Sequence, residues 1–122
     1  TRRIRETLRD LHPDVPVIGF PRGAGPASVW YVSETGVDGI GCDTATPPYM
    51  MKEAFEDEDV VVQGNLDPLL LVAGGSILDD RVDEILSLMR DERFIFNLGH
   101  GIVPQTPPEN VARLVERVRG SR

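Results

Sequence analysis

The chain has a single cysteine, Cys42, in 122 residues. No intrachain disulfide can form, and no cysteine cluster exists to hold a metal. That usage fits a reducing, cytoplasmic setting. Basic residues are also short: 13 Lys and Arg stand against 20 Asp and Glu, a net charge of −7. No basic excess is available to displace counterions, which argues against nucleic acid and anionic membrane as partners. A small anionic ligand stays open if a few cations are local to its site. No apolar run reaches bilayer-spanning length. The basic start Thr1-Arg2-Arg3-Ile4-Arg5 has no signal-peptide apolar core behind it.

Glycine and proline, by contrast, are plentiful, 12 and 10 residues, and they sit at the ends of apolar runs rather than in a tract. That placement predicts many short turns within one domain-sized unit. Residues 1–11 read as an amphipathic helix with Ile4, Leu8 and Leu11 on one face. No N-cap precedes it, as expected of a piece cut from a longer chain. Residues 15–20 read as a buried strand, followed by the turn Pro21-Arg22-Gly23-Ala24-Gly25-Pro26. A helix over 27–35 is expected to end at Gly36. Residues 37–42 form the second strand. Thr44-Ala45-Thr46-Pro47-Pro48 then offers cap and first-turn chemistry to a helix over 47–55.

The third strand covers 60–63, closed by Gly64 and Asn65. Asp67 and Pro68 open a helix over 69–73 that Gly74 and Gly75 break. Asp79 or Asp80 is the expected cap of the next helix, with Val82, Ile85, Leu86 and Met89 on one face. Residues 94–96 are the fourth strand. Thr106-Pro107-Pro108-Glu109 spells a capping box before a last helix whose face is Val111, Leu114, Val115 and Val118.

Strand, turn and helix therefore recur four times. The strands are continuous apolar runs, the pattern of strands covered on both faces, which predicts an α/β fold with parallel strands. Two architectures fit: a small open doubly wound sheet, or half of a (β/α)8 barrel. The mid-helix start favours the barrel. So do the polar or glycine residues at every strand's C-terminal end, where barrels carry their sites. None of the four runs looks like the short or charged edge strand that a free-standing small sheet needs.

Those strand ends present Arg22, then Asp43, then Gln63 and Asn65, then Asn97 and His100. In a parallel sheet all of them share one rim. His100, between Gly99 and Gly101, can donate to a carboxylate or shuttle a proton, unless it is bonded to a neighbouring carbonyl. Arg22 is either a fork for a carboxylate or a tie from its loop to Asp43. Asp43 is either a general base or a helix cap. Asn65 and Asn97 read first as partners of the backbone in irregular turns. Cys42 reads as packing, Trp30 and Tyr31 as core or interface residues, and the acidic cluster from Glu53 to Asp59 as a solvated surface. The glycines at 19, 23 and 25 match no nucleotide fingerprint, and no serine sits in a Gly-x-Ser-x-Gly context.

Three blocks, in order, carry a family likeness. They are Val17-Ile18-Gly19-Phe20-Pro21-Arg22-Gly23-Ala24-Gly25, Gln63-Gly64-Asn65-Leu66-Asp67-Pro68, and Phe96-Asn97-Leu98-Gly99-His100-Gly101-Ile102 with Pro104, Pro107, Glu109 and Val111 after it. Together they resemble uroporphyrinogen decarboxylases over essentially the whole chain. The resemblance implies that residues 1–122 form one region, the C-terminal half of a (β/α)8 barrel, with the N-terminal half absent. It implies a homodimeric cytoplasmic enzyme of porphyrin synthesis that uses no metal and no organic cofactor. Such an enzyme releases the acetate carboxyls of uroporphyrinogen III as CO2, giving coproporphyrinogen III. The family's cleft histidine maps onto His100, the expected substrate-binding residue. The family's other site residues belong to the first half, so no catalytic group is assigned here, and Arg22, Asp43, Asn65 and Asn97 stand as rim candidates. After Asp43 the sequence Thr44-Ala45-Thr46 departs from an Asp-Trp-Thr type common in relatives. Two alternatives are a non-catalytic binding module and a corrinoid-linked methyltransferase on the same barrel. The latter calls for a His/Cys ligand set.

Overall fold

A computed structural model describes residues 1–120. The elements run α1 (Arg2–Leu11), β1 (Ile18–Gly19), α2 (Ser28–Thr35), β2 (Gly39–Gly41), α3 (Pro48–Phe55), β3 (Val61–Leu66), α4 (Pro68–Ala73), α5 (Gly75–Leu88), β4 (Phe94–Leu98) and α6 (Pro108–Gly120). Neighbouring strands pair in parallel, in the order β1-β2-β3-β4. A doubly wound sheet reverses its strand order at a switch point and covers both faces. Here the order follows the chain without reversal, which fits a partial TIM-barrel-like fold and not the doubly wound alternative.

The register places Ile40, Val62 and Phe94 in one row, and Gly41, Gln63 and Ile95 in the next. Successive rows face opposite sides of the sheet. The first side carries the core. Val32 of α2 and Met51 and Phe55 of α3 pack with Ile40, Cys42, Val62 and Met89. Leu71 of α4 and Leu78, Val82 and Ile85 of α5 pack with Leu66, and Val111, Leu114 and Val118 of α6 lie against them. Fully burying each such aliphatic side chain is worth roughly 1.5–3 kcal/mol. The rings of Phe94 and Phe96 meet edge to face at 6.2 Å and 83°, a favourable aromatic geometry.

The other side is open. Ile18, Phe20 and Ile95 remain 45%, 47% and 42% exposed. Apolar runs at β1 and β4 thus do not mean cover on both faces, because every helix returns over the same one. The β1 ladder spans only Ile18 and Gly19, so the sheet does have a short edge strand, against expectation. β3 and β4 run further than their apolar cores, because Asn65 pairs in register with Asn97 and Leu66 with Leu98.

Helix ends follow the sequence in part. Gly36 ends α2 with a left-handed φ of 63°, its N–H on the Val32 carbonyl. The Asp67 carboxylate accepts from the Leu69 N–H at 2.8 Å. Three caps differ. Pro47 stands ahead of α3 with no side-chain bond. α5 begins at Gly75, so Asp79 lies inside it. The Thr106 hydroxyl donates to the Val103 carbonyl at 2.8 Å instead of closing a capping box. α1 docks through its arginine side: Arg2 on Glu34, Arg9 on Asp38 at 2.7 Å. Ile4, Leu8 and Leu11 are left exposed, as is Trp30, while Tyr31 packs against the core.

Placed inside α5, Asp79 gains a different use. Its carboxylate takes the fork of Arg113 from α6, and one turn on Asp83 takes the fork of Arg117. Arg117 also reaches Asp79 at 3.3 Å. The hydrogen bonds from Arg113 and Arg117 hold Asp79 and Asp83, respectively, below the usual carboxylate range. Burial, with the Asp43 charge adding to it, pushes the Cys42 thiol up to about 12.

Two outcomes follow from this packing. A depressed carboxylate stabilises the fold above its unfolded pKa and loses that contribution as pH falls through its folded value. The α5–α6 junction should therefore weaken as pH drops below the ordinary aspartate value of 3.8. Urea midpoints across an acid series should show this, and Arg113→Met should lower the neutral midpoint and flatten the acid dependence. An unchanged acid dependence in the variant would reject the ladder. Iodoacetamide at about pH 8 should alkylate native Cys42 more slowly than the unfolded thiol by a factor on the order of 10³. Equal rates by mass spectrometry would show Cys42 to be accessible.

Candidate functional site

Parallel pairing puts the C-terminal ends of all four strands on one rim. The loop after β4 brings His100 to an open cleft of about 470 Å³ that is also lined by Phe20, Gly41, Gln63, Asn97 and Ile102. His100 is half-buried. Among the described residues its ring has no hydrogen-bond partner, so the alternative of a histidine held by a neighbouring carbonyl does not apply. The imidazole is free to donate to, or accept from, whatever enters the cleft.

Arg22 is exposed; its backbone N–H donates to the Phe20 carbonyl at 3.0 Å, while its guanidinium has no hydrogen-bond or ion-pair partner among the described residues. The tie from its loop to Asp43 exists, but Gly23 makes it: the Gly23 N–H donates to the Asp43 carboxylate at 2.6 Å. The second Asp43 oxygen accepts from the Ala45 N–H at 3.0 Å. Asp43 caps its own turn and the preceding loop, not α3, which starts only at Pro48. Both its oxygens are engaged, and the residue is buried.

The two asparagines divide. Asn65 is buried, and its amide donates to the carbonyls of Asp43 at 2.8 Å and Thr46 at 2.5 Å. Asn97 is exposed on the cleft wall, where its Oδ1 accepts from the Leu98 N–H at 2.8 Å. Both bond to backbone, as read from the sequence. Asn97 keeps its amide nitrogen for the cleft.

Sequence reasoning passed over several contributors. Phe20 was assigned to a buried strand, yet it forms part of the cleft wall beside His100. Strand alternation with Ile18 is the signal that finds it. Gly99 was noted only as a flank. A Cβ there would lie 2.7 Å from the Thr44 nitrogen and 3.1 Å from the Asp43 carbonyl carbon. The His100 loop thus sits directly on the backbone of the Asp43 turn, and the departure to Thr44 falls at that contact.

The cleft therefore offers an unpaired imidazole beside aromatic and aliphatic walls, and an unpaired guanidinium stands in the loop after β1 on the same rim. That set suits a ligand with carboxylates attached to flat apolar rings. Among the described residues, no group of three or more His, Cys, Asp or Glu is placed to hold a metal ion. Among the described residues, no helix is long and apolar enough to cross a membrane.

A family model for uroporphyrinogen decarboxylase matches residues 1–121. The chain is 51% identical over 120 residues to a protein named uroporphyrinogen decarboxylase from Rhodospirillum rubrum, covering 98% of this chain and 34% of that one. It is 54% identical over 113 residues to the protein of that name from Sphingopyxis alaskensis, covering 93% and 33%. For the Brucella ovis protein of that name the figures are 48% over 120 residues, covering 98% and 35%. The chain thus spans about a third of the length of these relatives. With three sequence blocks in order, a one-way parallel sheet and a family match along its length, the chain belongs to the uroporphyrinogen decarboxylase family.

Proposed function

We propose that this chain is one region, the C-terminal four βα units of a (β/α)8 barrel, in an enzyme that converts uroporphyrinogen III to coproporphyrinogen III and CO2. The observation that carries the reading is His100, unpartnered in the cleft at a strand's C-terminal end, within the block that the family shares. The open sheet face with Ile18, Phe20 and Ile95 supports it as well, since a closed barrel turns that face inward.

The chemistry needs no organic cofactor. Protonation of a pyrrole carbon makes the ring an electron sink. The bond between the acetate methylene and its carboxylate breaks, its electron pair moves into the ring system, and CO2 leaves. The methylene carbon then takes up a proton and becomes a methyl group, and the ring carbon gives up the proton it had gained, so the pyrrole is restored and one proton is consumed for each CO2 released. The protein must hold a polyanion, supply protons and balance a transient cation. In this reading His100 contacts a substrate carboxylate or a pyrrole edge. The remaining groups come from the other half of the barrel, and the complete enzyme is a cytoplasmic homodimer.

The test is CO2 release from reduced uroporphyrinogen. The complete enzyme should turn over, and the 122-residue chain alone should not. Appreciable turnover by the chain alone would end the half-site reading. In the complete enzyme, His100→Ala should lower kcat/KM by about 10–100-fold, the worth of a hydrogen bond to a charged group. Wild-type kinetics in that variant would remove His100 from the cleft chemistry.

A further inference from the structure

Two loops of the rim and the end of β3 meet on one turn, residues 43–46. The loop after β1 is tied by the Gly23 N–H to the Asp43 carboxylate, and the turn itself by the Ala45 N–H to the same group. The C-terminal end of β3 is tied by the Asn65 amide to the carbonyls of Asp43 and Thr46. The loop after β4 rests on it through Gly99, with no room for a side chain, and the Gly99 N–H reaches across to the Leu66 carbonyl at 2.8 Å. Two side chains without a partner among the described residues stand next to these ties: Arg22 adjoins Gly23, and His100 adjoins Gly99.

We infer that Asp43 is the positioning residue of the rim: its carboxylate and the turn it organises hold Arg22 and His100 at one fixed separation. A substrate with carboxylates on several arms is then met by a guanidinium and an imidazole already in place. Asp43 is buried, and each of its oxygens already accepts from a backbone N–H. It works through its neighbours. A carboxylate is suited to this, because it accepts from two N–H groups of different loops at once and each bond carries its charge. Asparagine at the position keeps one acceptor oxygen and loses that charge. Preorganised groups avoid an ordering cost on binding, and small displacements are expensive. This role deepens the decarboxylase reading above and rests on it wherever turnover is the readout.

The experiment uses the complete decarboxylase that carries this chain, with Asp43→Ala, Asp43→Asn, Gly99→Ala and the double variant of Asp43→Ala with His100→Ala. Hydrogen exchange by mass spectrometry follows segments 20–26 and 97–103, and steady-state kinetics follow CO2 release. Asp43→Ala should speed exchange in both segments while exchange over β3 stays as in the wild type. Its kcat/KM should fall roughly 10–100-fold, chiefly through KM. Gly99→Ala, which leaves Asp43 intact, should speed exchange in 97–103 alone. Adding Asp43→Ala to His100→Ala should cost clearly less than Asp43→Ala costs by itself, because the two act on one contact.

Unchanged exchange in both segments of Asp43→Ala overturns the inference, as do losses that multiply in the double variant. If Asp43→Ala does not fold, Asp43→Asn carries the same comparisons, with faster exchange in 20–26 expected and wild-type exchange and kinetics overturning it. A complete enzyme that releases no CO2 overturns the function proposed above, and exchange in the two segments then decides the role of Asp43 by itself.

Discussion

Four strands pair in parallel and in chain order, and each link has to return from the top of one strand to the bottom of the next. With no reversal, every return crosses the same side of the sheet. That constraint puts the helices on one face, gathers the apolar side chains of Ile40, Val62 and Leu66 beneath them, and stacks all C-terminal strand ends on one rim. The site is a consequence of this topology before it is a matter of particular residues. Arg22, Asp43, Asn65 and His100 lie up to 78 positions apart in the chain, 100 minus 22. They are neighbours because parallel strands finish together.

The same constraint leaves the opposite face without a layer of its own. Ile18, Phe20 and Ile95 stay largely in solvent, and β1 and β4 keep free edges. An apolar face with two unpaired edges is a surface that calls for further chain. Exposed Ile4, Leu8 and Leu11 on α1 have the same character. Family membership over about a third of the relatives' length is consistent with that geometry. The proposed enzyme gives both observations one explanation: what is open here is the inside and the seam of a barrel.

On the rim, polar groups separate into two kinds. Asp43 and Asn65 are buried and bond the backbone, Asp43 through both carboxylate oxygens and Asn65 through its amide nitrogen, so they build the rim. Arg22 and His100 are carried by the rim's loops, and their side chains have no partner among the described residues. A chain with net charge −7 thus keeps two groups that can meet an anion at the ends of its strands. Packing in the second loop also buries Cys42, which lies in the wall of the His100 cleft. The same burial that seats the turn raises the thiol to about 12.

The sequence by itself determined the alternation of strands and helices, the parallel α/β class, the Asp67 and Gly36 caps, and the rim as the place to look. Each of these rests on local chemistry: apolar runs, proline and glycine at element ends, and short side chains that bond the nearest backbone. The family likeness was legible for the same reason, since its blocks are contiguous. Only the tertiary structure decided which face of the strands is covered, that Asp79 belongs to an ion-pair ladder with Arg113 and not to a cap, and that Asp43 joins loops instead of opening a helix. Those outcomes depend on partners 20 to 34 residues away. An aspartate near a turn looks the same whether its acceptor oxygens find an N–H two residues on or one from another strand's loop. His100 was visible as an odd histidine between glycines. That it is unpartnered, in a cleft, and seated on the turn that Asp43 holds is a fact of packing alone.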